Sequence, residues 1–310
     1  MMTTLRHKLL RPKALVVFAV LALVVGASVL VSALRSSSDD EPDSIPVLAY
    51  HGVTTDAEVV ESPDDQRFFD VRLAAFEEQV RYLDDAGYTT VTPDQYAQWV
   101  DGDDLSLPDK PVLITFDDGQ TSAQLATPAL EEHGFEAVMY VVSGFADGAF
   151  GGPDGEPGWY LSWDELVPMA EEGPWIMQFH AGPRGHAYID DAAFPDCHRF
   201  YPCRFGEDDA TYQERVKSDV AQGLGAMRTA FGLPDDWRGS TFAVPWDDAA
   251  MYEGTAEPWL AAYFADQFPV VFVQDSYDGG DDNQRFRYEV HNPQDLDEFR
   301  DGLDSPDFAR

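Results

Sequence analysis

Positive charge is scarce in this chain. Lysine occurs four times in 310 residues (Lys8, Lys13, Lys110 and Lys217), and Lys+Arg reaches 20 against 57 Asp+Glu, a formal net charge of −37. That balance excludes a sequence-independent grip on nucleic-acid phosphates, which depends on basic side chains displacing counterions. Cysteine is scarcer still, with Cys197 and Cys203 the only two. A zinc site built on the segment CHRFYPC would have both thiols and His198 but no fourth ligand in the loop, so an exported chain is expected to pair Cys197 with Cys203 as a local disulfide. What the chain has in ordinary measure is apolar surface. A hydrophobic fraction of 44% over this length can close one large core, and the average composition excludes a coiled coil, collagen or a wholly disordered chain.

One long run lacks both charge and proline. Residues 14–34, ALVVFAVLALVVGASVLVSAL, match a hydrocarbon core of about 30 Å at about 1.5 Å per residue. Arg6, Lys8, Arg11 and Lys13 precede the run and a polar, acidic stretch follows it, so the positive-inside bias leaves the N-terminus cytoplasmic and exports the rest. The expected organisation is a basic flank (1–13), a transmembrane signal anchor (14–34), an acidic stalk (35–45) and one extracellular domain (46–310). A cleaved signal peptide is the alternative, which would secrete the domain; its apolar region would ordinarily be about 7 to 15 residues, shorter than this one.

Beyond the stalk, strand-like and helix-like segments alternate. Short apolar runs suited to buried parallel strands are PVLAY (46–50), TTV (89–91), PVLITF (111–116), EAVMYVV (136–142), WIMQF (175–179), STFAV (240–244), VVFVQ (270–274) and RFRYEV (285–290). Leu73, Phe76, Val80 and Leu83 share one helical face that Gly87 should end, Ser162 with Glu165 reads as a capping box, and Val216, Val220, Leu224, Met227 and Phe231 mark the longest helix, stopped by Gly232. Seven or eight such units predict an α/β fold, a closed or nearly closed β/α barrel. Two irregular stretches, 144–160 and 187–210, interrupt the alternation and sit after strands, at the end where a barrel binds its substrate.

That same end collects polar residues. His51 follows PVLAY, Asp117 and Asp118 follow PVLITF, His180 follows WIMQF with His186 six residues on, Pro245 and Trp246 follow STFAV, and Asp275 follows VVFVQ. Adjacent carboxylates at the end of a buried strand repel unless a cation neutralises one of them. One Asp with two His makes a three-ligand site with open positions, a donor set that suits Zn²⁺ first and Co²⁺, Ni²⁺, Mn²⁺ or Fe²⁺ after it.

Together these pieces make the chain resemble the polysaccharide deacetylase family with the NodB homology domain, and within it the poly-N-acetylglucosamine deacetylases. The matching segments are PVLAYHGV (46–53), FEEQVRYLDDAGYTTVTPDQY (76–96), KPVLITFDDG (110–119), LSWDELVPMAEEGPWIMQFHAGPRGH (161–186) and TFAVPWDD (241–248). The resemblance implies a distorted barrel of seven or eight β/α units and a hydrolase that removes acetyl groups from N-acetylglucosamine units of a surface polysaccharide. It implies Asp117 as general base, Asp118, His180 and His186 as metal ligands, His51 as general acid, and the Trp246 backbone amide as an oxyanion donor. Trp159, Tyr160, Tyr188 and Asp275 are candidate substrate contacts on the rim.

Departures from the family pattern accompany the match. The ligand spacing HAGPRGH is longer than in many relatives. Ala243 stands where the family often carries an arginine that salt-bridges the base, leaving Arg238 or Arg184 as candidates for that role. Gln120 replaces a frequent aromatic, and Asp247 a common glycine. Peptidoglycan or chitin oligosaccharides, and O-acetyl esters of an exopolysaccharide, remain open as substrates. So does an inactive glycan-binding module.

Overall fold

Runs that are buried on both faces become the central strands. In the computed structural model, which describes residues 42–55, 66–152, 155–189, 192–195, 198–246, 258–273 and 283–309, β1 (Val47–Tyr50), β5 (Pro111–Phe116) and β6 (Ala137–Val142) are buried at every position. This is the signature of parallel strands covered on both sides. They pair in parallel in the order β11-β1-β5-β6-β7, where β7 is Trp175–Ala181 and β11 is Tyr288–Glu289, with β4 (Thr89–Thr90) also joining β5. A second parallel sheet runs β10-β9-β8, formed by Gln284–Phe286, Val270–Val273 and Thr241–Ala243. Beside His51, β2 (Gly52–Thr54) pairs with β3 (Asp70–Arg72).

Helices connect the strands, as parallel pairing requires. Helix α1 (Leu73–Asp85) buries Phe76, Val80 and Leu83 as the spacing predicts, and the chain turns at Gly87 with a φ of +82°. Helix α2 (Pro93–Asp101) opens on a Thr92/Gln95 capping box. Next come α3 (Thr127–His133), the short α4 (Ser143–Ala146) and α5 (Trp163–Glu172), where Glu165 reaches back to accept from the Ser162 amide at 2.9 Å. The longest, α6 (Asp209–Phe231), is capped by Asp208 and ended by Gly232 at a φ of +63°. Helices α7 (Pro258–Gln267) and α8 (Leu296–Leu303) complete the series.

The expected barrel is thus realised as two sheets with two seams. At one seam the predicted strand 285–290 divides at Arg287: β10 pairs with β9, two residues later β11 pairs with β1, and the Arg287 amide donates to the Val273 carbonyl at 2.8 Å. A single run therefore changes sheets within two residues, which is why it is not one continuous strand. At the other seam the edges β7 and β8 face each other and side chains stand in for a ladder among the described residues. Gln178 Oε1 accepts from the amides of Ser240 (3.0 Å) and Thr241 (3.4 Å). Residues 1–41, which hold the predicted anchor, lie outside the described residues, as do Cys197 of the predicted disulfide and Asp275. Among the described residues, no helix is long and apolar enough to cross a membrane.

Candidate active site

Two neighbouring carboxylates leave β5 in different directions. The Asp117 amide donates to the Tyr50 carbonyl on β1 at 2.8 Å, and then Asp118 and Gly119 adopt left-handed backbone with φ of +69° and +71°. A non-glycine residue seldom takes that conformation, and such strain concentrates at functional sites. Asp117 is gripped by Arg287, whose two terminal nitrogens donate to Oδ1 and Oδ2 at 2.7 Å each. Arg287 is fully buried at 0% exposure and lies over the rings of Tyr140 and Phe272. Burial alone would raise the Asp117 carboxyl, but the Arg287 guanidinium, helped by His180 and His51, holds it below the usual carboxylate range. Neither predicted partner plays this part. Arg184 is exposed and leans over Phe200, and Arg238 is exposed and near Tyr263. The missed signal was an arginine in the middle of a run read as buried, since a buried guanidinium needs a counter-charge.

Asp118 faces the histidines. Its Oδ1 lies 3.1 Å from His186 Nε2 and 3.5 Å from His180 Nε2, and it is buried without a hydrogen-bond partner. Burial again opposes ionisation, and His186, His180 and His51 together hold the carboxyl far below its ordinary value. His180 is the residue skipped where the β6/β7 register shifts: Val141 is opposite Phe179 and Val142 opposite Ala181. The predicted strand therefore continues past Phe179, and this bulge aims the His180 ring, as bulges beside active sites do. Its Nδ1–H donates to the Ala243 carbonyl at 2.8 Å, which turns Nε2 toward Asp118. His186 is pushed down to about 4, first by burial and also by His180, so its imidazole is neutral near pH 7. Three ligand atoms, one each from Asp118, His180 and His186, lie within 4.8 Å of one another. An orphaned carboxylate oxygen facing two imidazole nitrogens fits a divalent cation of the zinc type, with coordination positions left over.

His51 completes the constellation at the end of β1. Its ring lies 5.1 Å from that of Phe69, and its Nδ1 is buried without a protein partner. The next residue must be glycine: a Cβ on Gly52 would stand 2.2 Å from Asp70 Oδ1, 2.5 Å from Ser122 Oγ and 2.7 Å from Gln120 Oε1. Gly52→Ala is expected to cost about 1–3 kcal/mol through this overpacking. A denaturant melt at unchanged m-value checks it; a midpoint equal to wild type would show that the neighbours yield freely.

Trp246 follows β8 with a φ of +62°, its ring 4.7 Å from that of His186 and its Nε1 buried without a partner. Arg199 donates to the Trp246 carbonyl at 3.3 Å and lies over its ring. Of the predicted substrate contacts, Tyr188 is 62% exposed and stacks on His198, with its ring 6.4 Å from Trp246. Tyr160 stacks on Phe145, itself against His186. Trp159 is half-buried over Gly152.

Residues 104–245 match the family model described as polysaccharide deacetylase. Over this span the chain is similar to a polysaccharide deacetylase domain. The matched span holds Asp117, Asp118, His180 and His186, whereas His51, Trp246 and Arg287 come from outside it. The chain is 27% identical over 201 residues to the poly-beta-1,6-N-acetyl-D-glucosamine N-deacetylase of Escherichia coli K12, covering 59% of this chain and 28% of that protein's length. In fold, the chain resembles a de-N-acetylase from Aggregatibacter actinomycetemcomitans, with a TM-score of 0.65, 19% identity, and 84% of this chain and 100% of that one covered. It also resembles IcaB from Ammonifex degensii, with a TM-score of 0.59, 21% identity, and coverage of 86% and 99%.

Proposed function

We propose that the protein is an extracytoplasmic, metal-dependent N-deacetylase acting on N-acetylglucosamine units of a surface polysaccharide, with a poly-N-acetylglucosamine exopolysaccharide the favoured substrate. One observation carries this reading: a buried aspartate held ionised by arginine stands beside a separate Asp-His-His cluster that fits a divalent cation. Asp118, His180 and His186 would hold that cation, zinc first by donor type. When bound, it supplies Lewis acidity toward the acetamide carbonyl and lowers the pKa of water. Asp117, anionic and fixed in orientation by Arg287, accepts the proton from the attacking water. The Trp246 amide donates to the developing oxyanion, a role whose value lies in being oriented before the charge appears. His51 delivers a proton to the departing amine, so that acetate and a free glucosamine unit result. Residues 14–34 would anchor the domain outside the membrane, where a Cys197–Cys203 disulfide is chemically stable.

The similarity to the E. coli N-deacetylase supports the polymer, and the exposed Tyr188 beside Trp246 offers a sugar-stacking face. The test is mass spectrometry of separate polymers after incubation with the zinc-loaded full chain. Loss of acetyl groups from poly-N-acetylglucosamine is expected. Preferential loss from peptidoglycan or chitin oligosaccharides would replace the substrate, loss confined to O-acetyl esters would replace the bond, and no acetate from any of them would favour a glycan-binding module.

A further inference from the structure

Asp219 is a buried carboxylate that the proposed chemistry does not use. It lies within α6 at 4% exposure, between Val216 and Val220, which face the apolar core. Burial raises its pKa, the expected result for a carboxylate placed in such surroundings. A core position would ordinarily favour an apolar side chain unless the polar group had its own partners.

Its partners are the backbone between the two histidine ligands. Asp219 Oδ1 accepts from the Arg184 amide at 2.8 Å, and the Gly185 amide also donates to the carboxylate. Asp219 Oδ2 accepts from the Tyr201 hydroxyl at 2.8 Å, and that hydroxyl oxygen in turn accepts from the Gly182 amide at 3.1 Å. Pro183 has no N–H. Every amide from Gly182 to Gly185 is therefore bound to Asp219 or Tyr201. The fit is close as well as polar. A Cβ on Gly182 would stand 2.1 Å from the Asp219 carbonyl oxygen, one on Gly185 would stand 2.2 Å from the Tyr201 ring, and one on Gly144 would stand 2.1 Å from the Pro183 oxygen.

We propose that Asp219 and Tyr201 are positioning residues for metal binding: they hold the 182–185 backbone so that His186 Nε2 meets Asp118 Oδ1 before any cation arrives. The proposal rests on the metal-site reading above. It also accounts for the long HAGPRGH spacing. His180 is fixed by its strand and the Ala243 carbonyl, but His186 stands on a loop, and a loop of this length places a ligand only if its backbone is tied down.

The experiment measures zinc affinity of the full chain by chelator competition, alongside thermal melting of the metal-free protein, for wild type, Asp219→Asn and Tyr201→Phe. Loss of an outer partner of a ligand typically costs about 10–100-fold in metal affinity. A loss in that range is expected for Asp219→Asn and about tenfold for Tyr201→Phe, whose metal-free melting temperature falls modestly because Gly182 and Asp219 each lose one partner. Wild-type zinc affinity in Tyr201→Phe, or affinity losses that merely track the loss of metal-free stability, would overturn the proposal. If Asp219→Asn does not fold, Tyr201→Phe decides alone. Failure of the wild-type chain to bind zinc would overturn the metal reading itself, and this proposal with it.

Discussion

Asp117→Asn is expected to lower acetate release from N-acetylglucosamine oligomers by about 10³-fold, within the range for removing a general base, while zinc still binds. The substitution is nearly isosteric and leaves Asp118, His180 and His186 in place, so metal content separates the two carboxylates. It also leaves Arg287, at 0% exposure, facing a neutral amide. An uncompensated buried charge is strongly destabilising, and the one acceptor retained by asparagine limits the cost to about 3 kcal/mol. Single-turnover rates, zinc content and a melting curve check the three parts. Activity equal to wild type would remove Asp117 from the role of base.

Arg287→Met should act on the same carboxylate from the other side. Arg287 is the strongest influence holding Asp117 below its usual range, against burial. In the wild type this pairing contributes stability above the ordinary carboxylate pKa and loses it as the pH falls through the depressed one. Without the guanidinium, burial prevails and the pKa rises. The acid limb of kcat/KM then moves to higher pH, activity near neutrality falls by about 10²-fold, and part of it returns as the pH is raised. Stability near pH 7 should drop by about 3–5 kcal/mol, the cost of leaving one member of a buried pair alone. A loss of activity that is uniform across pH would mean that Arg287 shapes the site without setting the charge of its base.

Much of this site was legible because its residues follow strands. PVLITFDD places two carboxylates at the end of a run buried at every position, and WIMQFH places His180 the same way. Periodicity also located the buried faces of α1 and α6. What escaped depends on which strands become neighbours. Arg287 meets Asp117 across 170 residues, through a run that crosses between sheets. The β6/β7 register shift at His180 is a property of two strands in register, and no single segment shows it. Asp219 reads as a polar helix position until the loop that it grips is packed against it. The barrel expected from regular alternation became two sheets because alternation fixes the order of strands but not whether the ladder closes.

Where the ladder fails to close, it frees hydrogen-bonding groups. Inside a continuous sheet a strand's carbonyls are committed to its neighbours on both sides, but β8 is an edge of its sheet, and on its outer side the Ala243 carbonyl instead meets the His180 ring. Were β7 and β8 zipped together by main-chain bonds, that imidazole would lose the acceptor that fixes its tautomer. At the opposite seam, the run between β10 and β11 turns an arginine inward, toward Asp117. The incompleteness of the barrel thus serves the proposed chemistry: a redesign that perfected the closure, however stable, should lower acetate release.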